Sequence, residues 1–118
     1  MDYKAIHEYI MNIDPKIRFA TIFDIDGNIV HTGHREGALN LLSPAESKRS
    51  HKQAVSTWRL RNELAPKIGK WQYVLAVYEK VKRITMPLDS EHVIYVTAEI
   101  DADHVKIIES LLKLKEGL

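Results

Sequence analysis

The sequence predicts an α+β fold: an α/β sandwich in which three helices flank a mainly antiparallel, five-stranded sheet, formed as a single domain over residues 1–118. Apolar residues recur at helical three-and-four spacing in some stretches and with period two in others, so both element types are present. Every strand connection but one is short, which selects hairpins over parallel crossovers. Ile17 to Val30, IRFATIFDIDGNIV, is an apolar run, an acidic glycine corner and a second apolar run, the pattern of a tight hairpin.

Asp2 is placed to cap a first helix, with Tyr3, Ile6, Tyr9, Ile10 and Ile13 on its buried face, and Pro15 ends it. Strands follow at Arg18 to Asp24 and Asn28 to Thr32. Gly33 and Gly37 then mark a loop, which Leu39, Leu41 and Leu42 are expected to pin to the core. Ser43-Pro44-Ala45-Glu46 is a capping box with proline at the first helical position. The helix it opens should run to about Leu64 and end at Pro66 and Gly69. Ser47, Ala54, Trp58 and Ala65 share one face of it, and Lys48, Lys52 and Arg59 form a basic stripe on another.

From Trp71 the period becomes two, and both alternating sets are apolar, which predicts a strand covered on both faces. Glu79-Lys80 turns into a strand at Val81 to Met86, and Asp89-Ser90-Glu91 into another at His92 to Ile100. Asp101 is read as the cap of a last helix, with Val105, Ile108, Leu111 and Leu112 facing inward and Gly117 closing it.

Composition sets the bounds. With 118 residues, 45% hydrophobic and 28% charged, the chain has the make-up of an ordinary globular domain large enough to fold without staples. The absence of cysteine removes disulfides and thiol chemistry and leads to the expectation of a cytoplasmic protein. The amino terminus lacks a secretory pattern, and charged residues interrupt every apolar run before membrane length, so no membrane association is expected. Between Ser43 and Lys70, seven cations face two acids, a surplus of +5; with a net charge of +1, the rest of the chain carries −4. Such asymmetry favours an acidic protein partner, self-association or weak nucleic-acid contact. A pI near 8.0 and the lack of an aromatic-basic strand signature argue against nucleic acid.

The corner TIFDIDGNIV carries the sharpest chemical alternative. It resembles the nucleophile loop of haloacid-dehalogenase-type phosphotransferases, which implies Asp24 as nucleophile and Asp26 as acid and base beside Mg²⁺. Asn28 departs from that pattern, and the remaining groups would have to come from parallel strands that short hairpins do not supply. Asp101 and Asp103 imitate the later acidic pair only in sequence. The structural reading is preferred: Asp24, Asp26, Gly27 and Asn28 build the turn, and no catalytic residue is assigned. A calcium loop from Asp24 fails, since it needs Gly at Ile29 and Glu at Arg35. His31 and His34, with His51, are a weak metal constellation, and neither metal nor other cofactor is expected.

The element order, with its glycine hairpin after the first helix, resembles the roadblock and light-chain-7 family and, more distantly, longin and profilin folds. That resemblance implies sheet order 2-1-5-4-3, with the long middle helix on one face and the terminal helices on the other. It also implies homodimers or heterodimers through the middle helix and third strand, acting as scaffolds or regulators of small GTPases. Interface candidates are then Lys48, Lys52, Trp58, Arg59, Leu60, Trp71 and Tyr73, with aromatic anchors favoured at the centre. The stretches IDPKIRFA and LAPKIGK also resemble a small family of archaeal proteins from which no role carries over. The leading expectation is a non-enzymatic homodimeric interaction module. A PAS-like sensor is the alternative, with a ligand cavity between sheet and middle helix lined by Phe19, Trp58, Tyr73 or Tyr95.

Overall fold

A computed structural model describes residues 1–118. The elements are α1 (Tyr3–Met11), β1 (Ile17–Asp24), β2 (Ile29–His34), α2 (Pro44–Ile68), β3 (Val74–Val77), β4 (Val81–Pro87), β5 (His92–Glu99) and α3 (His104–Glu116). The strands form one sheet in the order β2-β1-β5-β4-β3, every neighbouring pair antiparallel. The expected architecture is the observed one.

Strand alternation divides the sheet into two faces. Ile22, Ile84, Met86, Ile94 and Val96 pack with Ile6 and Ile10 of α1 and with Ile107, Ile108 and Leu111 of α3. On the other face Phe23, Val93 and Tyr95 meet His51, Val55 and Trp58 of α2 in a much smaller cluster. Burial is therefore lopsided: of the 25 residues of α2, only His51, Val55 and Trp58 are buried.

Local chemistry explains the boundaries. Asp2 caps α1 by accepting from the Ala5 amide at 3.0 Å. Ser43 and Glu46 complete both bonds of the capping box, at 3.1 and 2.9 Å. Pro66 does not stop α2, because in a last turn a proline forfeits only one hydrogen bond. Gly69, at φ +91°, ends the helix by donating to the Ala65 carbonyl at 2.8 Å. The cap of α3 is Asp103, not Asp101: Asp103 accepts from the Lys106 amide at 3.2 Å, while Asp101 pairs with Lys16 at 2.5 Å.

Several expected core positions lie outside the core. Tyr9 and Val105 are exposed, and Ile107 takes the inward place on α3. Leu39, Leu41 and Leu42 are also exposed; Arg18 holds their loop through the Leu39 carbonyl at 2.7 Å. Gly33 belongs to β2, where a Cβ would come within 2.6 Å of the His7 ring. The third strand is only four residues long, with Trp71 and Tyr73 before it, and as an edge strand it leaves Val77 59% exposed. No helix is long and apolar enough to cross a membrane.

Candidate functional site

The Asp24 carboxylate is built into the hairpin. Its Oδ1 accepts from the amides of Asp26 and Asn28 at 2.9 and 3.0 Å, and its Oδ2 accepts from the Asn28 side chain at 3.4 Å. The Gly27 amide donates to the Asp24 carbonyl at 3.0 Å, with Gly27 at φ +82°. Burial opposes ionisation of Asp24, but the Asn28 and Asp26 amides outweigh it and hold the carboxyl below the usual range. The chain returns at once as β2, and Asp101 lies beyond β5 at the other end of β1. All four turn residues are therefore close together, and the sequence's second acidic pair is not near them.

The basic stripe on α2 lies partly over this hairpin. Arg59 donates to the Ile25 carbonyl at 3.2 Å and stands 4.0 Å from the Asp26 carboxylate. Both side chains are largely exposed, so that ion pair contributes little. A Cβ on Gly27 would meet the Lys52 side chain at 3.6 Å, which places Lys52 over the turn as well. Trp58 is 4% exposed and fills the core beneath its own helix, so its ring is not available to a second chain. Trp71 packs at the edge of the same cluster, with the Arg61 guanidinium 5.6 Å from its ring centre.

Leu60, Leu64 and Ile68 recur every four residues and are all exposed, which draws an apolar ridge along the C-terminal half of α2. After a short connection comes β3, hydrogen-bonded only to β4, with Tyr73 exposed just before it and Val77 exposed at its end. An unpaired edge of this kind is a template for another strand. Ridge and edge belong to consecutive elements of the chain, and no core residue covers either.

The histidines separate. His31 pairs with Ile22 on the α1 side of the sheet, where its ring meets His7 at 4.9 Å. His34 pairs with Phe19 on the α2 side, and its Nδ1 lies 3.0 Å from the Arg35 carbonyl. His51 is in the α2 core, stacked on Phe23 at 4.9 Å and edge-on to Tyr95 at 5.6 Å. Burial, helped by Arg83, holds the His51 pKa below the ordinary imidazole value.

The first turn of α2 stands off the sheet, which the helix meets from Ser50 and His51 onward. A cavity of about 970 Å³ separates them, floored by Phe19, Thr21, Tyr95, Thr97 and Arg83 and roofed by Ser47, Lys48 and His51. The Arg83 guanidinium lies over the Tyr95 ring at 4.7 Å and the Tyr78 ring at 5.5 Å, and donates to the hydroxyls of Tyr78 and Ser50. Of the aromatics expected around such a cavity, Phe19 and Tyr95 line it, whereas Trp58 and Tyr73 do not. Arg83, Ser50 and His51 escaped sequence reasoning as cavity residues, since their meeting depends on how α2 crosses the sheet.

The family model described as a family of unknown function, DUF6659, matches residues 1–117. The chain belongs to DUF6659. No curated protein sequence matches it. Among solved structures, this DUF6659 chain is similar to a Roadblock/LC7 domain from Streptomyces avermitilis, at 14% identity and TM-score 0.72 over 99% of this chain and 92% of that one. It is also similar to an MglB with a tetrameric arrangement, at 15% identity and TM-score 0.77 over 98% and 86% of the two chains. MglC from Myxococcus xanthus aligns over the full length of both chains at 16% identity and TM-score 0.65. The DUF6659 chain therefore has the Roadblock/LC7 fold, the family its element order resembles.

Proposed function

We propose that this protein is a non-enzymatic cytoplasmic interaction module that dimerises through α2 and β3 and presents the joint surface to a protein partner. A small GTPase is the partner class that the Roadblock likeness implies. The observation that carries this reading is the bare apolar ridge Leu60, Leu64 and Ile68 on α2, followed in the chain by an edge strand that is paired on one side only. The tetrameric arrangement of a similarly folded MglB supports self-association. Lys52 and Arg59 would then flank the dimer surface rather than form its centre.

The chain contains no cysteine, so a single introduced thiol reports one contact. Val77→Cys and Leu64→Cys are expected to cross-link between copies under mild oxidation, and Val30→Cys on the opposite edge is not. Equal cross-linking at all three sites, or none, would remove the α2 and β3 interface.

The cavity under α2 favours a second reading, a small-molecule sensor. The phosphatase reading ranks below both because turn amides occupy Asp24. Aryl-phosphate hydrolysis with Mg²⁺ that Asp24→Asn abolishes would reverse that order.

A further inference from the structure

We propose that the cavity beneath the N-terminal half of α2 binds a small aromatic carboxylate, its ring laid against Phe19 and its carboxylate paired with Arg83. This rests on the sensor reading and is independent of dimerisation.

The register of the sheet sets the spacing. Phe19 and Arg83 both pair with Thr97, from β1 and β4 on either side of β5, so the three form one row across the cavity floor. Two interstrand steps place Phe19 and Arg83 roughly 10 Å apart at the backbone. A fused aromatic ring with one carboxylate spans such a row. Thr97, between them, carries a buried hydroxyl without a hydrogen-bond partner.

Charge selects the ligand's sign. Arg18, Lys48, Lys80 and Arg83 line the cavity against Glu79 alone. Arg18 is already paired with Glu99 at 3.3 Å, but no acidic side chain pairs with Arg83. Its guanidinium is instead oriented by the neutral hydroxyls of Tyr78 and Ser50 and by two ring faces, so it is fixed in place without being neutralised. A planar fork held in this way matches a carboxylate.

The helix terminus selects carboxylate over phosphate. A polyphosphate or nucleotide would seek free amides at the start of α2. There Ser43 already accepts from the Glu46 amide, and Glu46 brings a negative charge of its own. The volume of about 970 Å³ lies within the range of small-ligand sites.

The test titrates the full chain with a naphthoate and with the uncharged naphthamide of the same shape, followed by amide-resolved NMR, with light scattering recording the mass throughout. The naphthoate is expected to bind about tenfold more tightly than the amide, with shifts centred on the Phe19, Thr97 and Arg83 row. Arg83→Gln should erase that preference, Arg83→Lys should keep part of it, and Ser47→Trp, which fills the cavity from the helix side, should block both compounds. Equal affinity for the two compounds, or a preference unchanged in Arg83→Gln, overturns the carboxylate assignment and leaves a neutral-ligand sensor standing. Failure of both compounds to bind at millimolar concentration overturns the site and the sensor reading together, whatever mass is recorded.

Discussion

Arg59 of α2 donates from its guanidinium to the Ile25 carbonyl, 3.2 Å away in the hairpin turn. The basic stripe and the acidic corner thus meet in the folded chain. The corner docks the middle helix, and the Asp24 carboxylate is held by the turn's own amides.

Gly27 should tolerate substitution poorly for a backbone reason. Its φ of +82° disfavours any side chain, whereas the space above it allows ordinary contact with Lys52 at 3.6 Å. Gly27→Ala is expected to cost about 1 kcal/mol. Asp24→Ala should cost about 1–3 kcal/mol because two turn amides lose their acceptor. Asp24→Asn should cost less, since an amide oxygen still accepts. Urea unfolding followed by circular dichroism ranks the three.

Trp58 and Leu60 sit two residues apart on α2 and should behave oppositely. Trp58→Ala removes the main anchor of the small α2 cluster and should cost about 3–5 kcal/mol in chemical unfolding. Leu60→Ala, at an exposed position, should change the stability of a single chain by less than about 0.5 kcal/mol. Its effect should appear instead as weaker self-association.

Acid should unfold the protein in two stages. Burial lowers the pKa values of His7 and His51, so the folded state binds fewer protons there than the unfolded chain. Their contribution is fully present above the unfolded imidazole value of about 6.5 and is lost as pH falls through it toward the folded values. Asp14, held low first by the Lys16 amide, and Asp24 act later, because a depressed carboxyl loses its contribution as pH falls through the folded pKa, below about 4. Urea midpoints measured against pH should show both stages. His51→Phe keeps the stack on Phe23 and should reduce the first stage, leaving the His7 part.

Features governed by neighbours in sequence were legible, and those governed by neighbours in space were not. The Ser43 to Glu46 box, the Asp26-Gly27 corner and the hairpin pairings follow from local signals and short connections, whereas the strand order is what the family resemblance implies. Asp101 and Asp103 offer the same cap two residues apart, and only Lys16, brought in from the connection just before β1, separates their roles. His51 counts as polar in any periodic pattern, yet it belongs to the buried face of α2 because Phe23 and Tyr95 accept its ring. Arg35 gave no signal at all. It donates to the carbonyls of Met11, Asp14 and Ile17 at 2.7, 3.1 and 2.8 Å, tying the end of α1 to the start of β1. Arg35→Ala should therefore cost about 1–3 kcal/mol, read from the urea midpoint, by stranding those acceptors.

Dimerisation through α2 and β3 is tested most directly by light scattering on the purified chain as it elutes at high micromolar concentration. A mass twice that of one chain is expected, falling to a single-chain mass in Leu64→Asp while circular dichroism stays unchanged. A wild-type protein that elutes with a single-chain mass and a native spectrum would contradict it.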